Sequence, residues 1–83
     1  MNKLVFEKVG DINSVYPYYC VYREGEREPF MEFAVTESKV LEFTFYRSEK
    51  NVPLSLAEWD DIRNRATAFV PRAIADEEAA GYQ

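Results

Sequence analysis

Residues 30–47, FMEFAVTESKVLEFTFYR, alternate apolar and polar side chains with a period of two, twice over, across a short polar break. In the first run Met31, Phe33 and Val35 share one side, and Glu32, Ala34 and Thr36 the other. In the second, Leu41, Phe43 and Phe45 oppose Val40, Glu42, Thr44 and Tyr46. That period places alternate residues on opposite faces of a strand. One oily face and one mixed face predict an antiparallel sheet covered on a single side. The break, Glu37-Ser38-Lys39, is a turn.

Two earlier segments extend the pattern. KLVFEKV, residues 3–9, sets Leu4 and Phe6 against Lys3, Val5 and Glu7. Gly10-Asp11 and Asn13-Ser14 are turn signals, so this strand ends near Val9. Pro17 has no backbone donor and suits a strand start, which predicts a second strand from Tyr18 to about Arg23. Glu24 to Pro29 then form a polar hairpin loop, with Gly25 free to adopt a positive φ. Within the second strand Tyr18, Cys20 and Tyr22 share one face, and Tyr19, Val21 and Arg23 the other. Cysteine is among the most buried residue types. On that ground the even set belongs inward and Tyr19 faces out, near Tyr46.

The segment PLSLAEW, residues 53–59, carries a helix start. Ser55 and Glu58 have the spacing of a capping box, in which each side chain satisfies a free backbone donor of the first turn. Leu54 and Trp59 occupy the positions of a hydrophobic staple. Leu56, Trp59, Ile62, Ala66 and Phe69 step by threes and fours into one apolar stripe, which predicts a surface helix with Trp59 as its main anchor on the sheet. Pro71 disfavours helical geometry at the residue before it. The expectation is that the helix ends or kinks near Val70, or that Pro71 opens a short second helix toward Ala80.

These elements define an α+β fold: a four-stranded antiparallel β-meander with a C-terminal α-helix packed on one face (ββββα), with room for a short second helix after Pro71. Residues 1–80 form a single domain and residues 81–83 a frayed tail. A chain of 83 residues is near the size at which a core holds without disulfides or metal. One tryptophan, six tyrosines and six phenylalanines supply the apolar area such a core requires. One helix covers about 10–12 Å of a sheet nearly 20 Å wide. Part of the oily face therefore stays open unless residues 72–80 fold over it, with Ile74 as the plug.

Several kinds of chemistry are excluded. With no histidine there is no His-based nucleophile activation and no histidine metal ligand. A single cysteine gives neither an internal disulfide nor a thiolate zinc site. Gly10, Gly25 and Gly81 form no phosphate-binding loop. The carboxylate pairs Glu26/Glu28 and Asp60/Asp61 sit on a hairpin tip and a solvated helix face rather than in a cleft. The expectation is a non-enzymatic protein without cofactor or metal. The start, MNKLVFEK, meets a glutamate before an apolar leader can form, and no segment is long and apolar enough to span a membrane. A cytoplasmic location is expected.

The net charge of −5 favours a basic partner and disfavours nucleic acid and anionic membrane. The reading that follows is a small acidic protein-binding module: an inhibitor or immunity-type protein neutralising a basic partner such as a toxin nuclease. Its candidate contact residues are Tyr19, Arg23, Glu24, Glu26, Glu28, Glu37 and Tyr46. The free edges of the first and fourth strands offer a route to a homodimer.

A second reading comes from the order of the elements and the helix entered through SLAEW. From about Leu54 to Ile62, the chain resembles the single-stranded-DNA-binding domain of the transcriptional positive-coactivator family. That resemblance implies a site of basic and aromatic residues on the curved sheet of a dimer. The nearest candidates here are Tyr19, Tyr46, Lys3, Lys8 and Arg23. Glu7, Glu32 and Glu42, expected on the same outer face, leave it without a basic stripe, so the acidic reading leads.

Overall fold

The computed structural model describes residues 3–10 and 15–80, with the backbone alone for 77–80. Four strands are followed by one helix: β1 (Leu4–Val9), β2 (Tyr18–Arg23), β3 (Met31–Val35), β4 (Leu41–Phe45) and α1 (Leu56–Ala80). All neighbours are antiparallel and the strand order is β1-β2-β3-β4, so β1 and β4 are the edges. This is the ββββα meander that the alternation predicts. The turn signals at Asp11, Asn13 and Ser14, and the tail 81–83, lie outside the described residues.

The turns follow from local chemistry. Gly25 takes a φ of 90° in the β2–β3 hairpin, as its lack of a Cβ allows. In the β3–β4 turn, Thr36 N–H donates to Val40 C=O (2.8 Å) and Lys39 N–H to Thr36 C=O (2.8 Å). The Thr36 hydroxyl accepts from Val40 N–H at 3.2 Å, and Lys39 is carried into a positive φ of 67°.

Register sets the two faces. Phe6 pairs with Val21, Val21 with Met31, and Met31 with Phe45. Lys8, Tyr19, Phe33 and Phe43 form the next row on the same face. This face meets α1, and its centre is Phe33, 1% exposed and ringed by Phe6, Tyr19, Phe43 and Phe69 at centroid distances of 5.2–6.5 Å. Burying such side chains contributes roughly 1.5–3 kcal/mol each.

The expected inward set of β2 is reversed. Tyr19 and Val21 lie under the helix, whereas Tyr18, Cys20 and Tyr22 lie on the opposite face. The reason is pairing: the residues beside Tyr19 and Val21 are the oily-face residues of β1 and β3, and a one-residue slip would oppose them to Glu7 and Glu32. Cys20 is buried all the same. Its burial is on the outer face, where Tyr46 approaches it.

Both bonds of the capping box are present: Glu58 N–H donates to Ser55 Oγ at 3.1 Å, and Ser55 N–H to Glu58 Oε1 at 3.0 Å. Leu54 and Trp59 both pack against the core, as the staple requires. The buried stripe of α1 is Ile62, Ala66, Phe69 and Ala73. Leu56 departs from the expected stripe, being 76% exposed. Trp59 lies on the flank, 5.1 Å from Phe43 and 6.4 Å from Phe45. It is a side brace rather than the main anchor.

Among the described residues no second helix follows Pro71. One helix runs through Pro71 to Ala80, and only the bond from position 71 to Thr67 C=O is forfeited. Ala73 and Ile74, just beyond the proline, pack on the core and hold the continuation down. No helix among the described residues is long and apolar enough to cross a membrane.

Candidate functional site

The face of the sheet turned away from α1 has an unusual composition. Its strand positions are Val5, Glu7, Val9, Tyr18, Cys20, Tyr22, Glu32, Ala34, Glu42 and Thr44, as register and alternation dictate. Three are carboxylates and none is basic. Lys8 and Arg23, the basic residues within the strands, both project to the helix side.

Tyrosine hydroxyls hold two of these carboxylates in place. Tyr22 donates to Glu7 Oε1 at 2.9 Å, and Tyr46, just beyond β4, donates to Glu32 Oε1 at 2.6 Å. Each donor is pushed toward its protonated form. For Tyr22 the Glu7 hydrogen bond dominates; for Tyr46 burial leads and the Glu32 bond follows. The phenols stay neutral, so the carboxylates carry the face's charge. Cys20 Sγ lies 4.0 Å from the Tyr46 hydroxyl, between Glu7 and Glu32 in the ladder. Burial pushes its thiol up, and the two glutamates add to the shift. A thiol so placed is a poor nucleophile.

The structure scatters the residues picked from sequence. Tyr46 is on this face. Tyr19 is on the other, stacked 5.2 Å from Phe33 and edge-on to Phe69 at 5.1 Å. Arg23 is engaged beneath the helix start: its guanidinium forks onto the Glu58 carboxylate and also donates to Pro53 C=O. Glu24, Glu26 and Glu28 lie at the β2–β3 end of the sheet, and Glu37 at the β3–β4 end, about 17 Å away along a five-residue strand. The hairpin tip is of mixed charge. A recess of about 630 Å³ beside it is lined by Glu26, Glu28 and Glu49 but also by Arg23, Arg47 and Lys50.

Glu7, Glu32 and Glu42 are the residues that sequence reasoning set on one face without adopting as a site. Their positions opposite the oily residues of β1, β3 and β4 were the available signal. What hid the site was β2, whose reversed parity adds two tyrosines to this face and removes Arg23. No known protein family, curated protein or solved structure matches this chain.

Proposed function

We propose that this chain is a small protein-binding module that takes a basic partner on the outer face of its sheet. The observation that carries this reading is the composition of that face: Glu7, Glu32 and Glu42 among tyrosines, with no lysine or arginine in any of its strand positions. Tyrosine is enriched in contact surfaces because it offers a rigid ring and a polar tip. The carboxylates steer a cationic partner and set specificity.

Size sharpens the reading. Four strands of five or six residues project roughly 20 by 17 Å, or about 350 Å². A stable interface takes about 800 Å² from each partner. The face is therefore the centre of a contact that extends onto one end of the sheet, either the tip carrying Glu24, Glu26 and Glu28 or the turn carrying Glu37. An inhibitor that masks the basic substrate groove of a nucleic-acid-cutting enzyme has this charge and size. Nothing in that role requires catalysis, metal or cofactor.

The test is capture from source-cell lysate with the chain as bait, with and without nuclease, at low and high salt. The expected result is one basic protein in near-stoichiometric amount, insensitive to nuclease and released by salt. Recovery of nucleic acid alone, lost on nuclease treatment, would end the protein-binding reading in favour of the single-strand one.

A further inference from the structure

On the helix side of the sheet a cleft of about 440 Å³ opens between β1, β2 and the second half of α1. It is one part of the oily face that a single helix leaves uncovered, because α1 packs chiefly over β3. Phe6 and Tyr19, both half-buried, supply its aromatic wall above the buried rings of Phe33 and Phe69, and Lys8, Arg65 and Arg72 stand around it. In a chain of net charge −5, three of ten basic side chains gather here. Neither Lys8 nor Arg72 has an ion-pair partner among the described residues. The Arg65 guanidinium lies 4.2 Å from the centre of the Phe6 ring and gives only its Nε to Asp61, at 3.0 Å.

We infer that this cleft is a binding site for one small organic anion that combines a flat ring with a phosphate or carboxylate group. The volume is within the range of small-molecule sites, about 300–1,000 Å³, and an apolar wall with a few polar groups is their usual make-up. Guanidinium groups match the planar oxygen pairs of carboxylate and phosphate. The aromatic wall suits a ring.

The same helix face argues against a polymer. Arg65 and Arg72 stand about 10 Å apart along α1. Asp61 lies one turn before the first and Asp76 one turn after the second, and Asp76 also lines the cleft. A chain of phosphates leaving the cleft along α1 would meet a carboxylate at either end, which repels it. The basic stripe is one small ligand long.

The experiment is an NMR titration of the full chain with phenyl phosphate, with inorganic phosphate and a thymidine octamer run alongside. Phenyl phosphate is expected to saturate at millimolar concentration, shifting the amides of Lys8, Tyr19, Phe69 and Arg72. It should bind more tightly than inorganic phosphate, and Lys8→Ala or Arg72→Ala should weaken it about tenfold each. Both side chains line the cleft mouth rather than the core, and the variants' unchanged amide spectra outside the cleft will show that they fold. Absence of saturable shifts would overturn the inference, as would binding indifferent to both substitutions. Tighter binding of the octamer than of phenyl phosphate would overturn it too. The outer face takes no part in these readouts, so the result is independent of the proposed partner.

Discussion

The Arg23 guanidinium, at the end of β2, grips the carboxylate of Glu58 in the first turn of α1, while the same carboxylate accepts Ser55 N–H. One side chain thus completes the helix cap and ties the helix start to the sheet. The Arg23 hydrogen bond, with the Ser55 backbone bond behind it, holds the Glu58 carboxyl down at about 2, against an ordinary 4.5. A depressed carboxyl stabilises the fold fully above its unfolded value, and that contribution is lost as pH falls through its folded value. Glu58→Gln is therefore expected to be less stable than the parent at neutral pH. The gap should narrow below pH 4.5 and close near pH 2, as read by urea unfolding across that range. A gap constant with pH would mean that the ion pair contributes nothing.

The other half of the cap is the Ser55 hydroxyl. Ser55→Ala should cost about 1 kcal/mol. Ser55 and Glu58 act as one unit, so the double variant Ser55→Ala/Glu58→Gln should lose less than the sum of the singles. Chemical denaturation of the four proteins measures the coupling.

The reversed parity of β2 is directly testable. Tyr19, packed on Phe33 and Phe69, should cost about 2–4 kcal/mol on replacement by alanine. Tyr22→Phe, which removes only the exposed bond to Glu7, should cost far less than the Tyr19 change. Equal losses would restore the opposite orientation of the strand.

Pro71 sits inside α1 on an exposed position. Pro71→Ala restores a donor toward Thr67 C=O and relieves the ring's clash with it, so the variant should be more stable, by up to about 3 kcal/mol. Thermal unfolding of the pair checks this. A loss of stability would show that the proline shapes the helix in a way the fold depends on.

These particulars show how much was legible in the chain. The alternation of residues 31–35 and 41–45 fixes two strands and their oily faces, and S-x-x-E fixes the helix start, because each is a local pattern with a local cause. The face of β2 was not legible, since both of its sets are largely apolar or aromatic and only pairing with β1 and β3 distinguishes them. Residue type alone predicts that Cys20 is buried, but not that Tyr46 rather than the helix lies over it. Helix continuation through Pro71 depends on Ala73 and Ile74 finding the core, a tertiary effect that outweighs the local penalty. The acidic face and the basic cleft both emerge only once β2 is turned over: Arg23 leaves the first, and Tyr19 joins Lys8 in the second.

The central claim is that the outer face receives a basic protein, and affinity is its most direct measure. Isothermal titration of the captured partner would compare the parent with two charge reversals: Glu7→Lys/Glu32→Lys/Glu42→Lys on the face, and Glu24→Lys/Glu26→Lys/Glu28→Lys at the hairpin tip. The face variant should bind at least about a hundredfold more weakly, and parental affinity should fall with salt. The hairpin variant should lose less. Parental affinity in the face variant, with folding intact, would contradict the account.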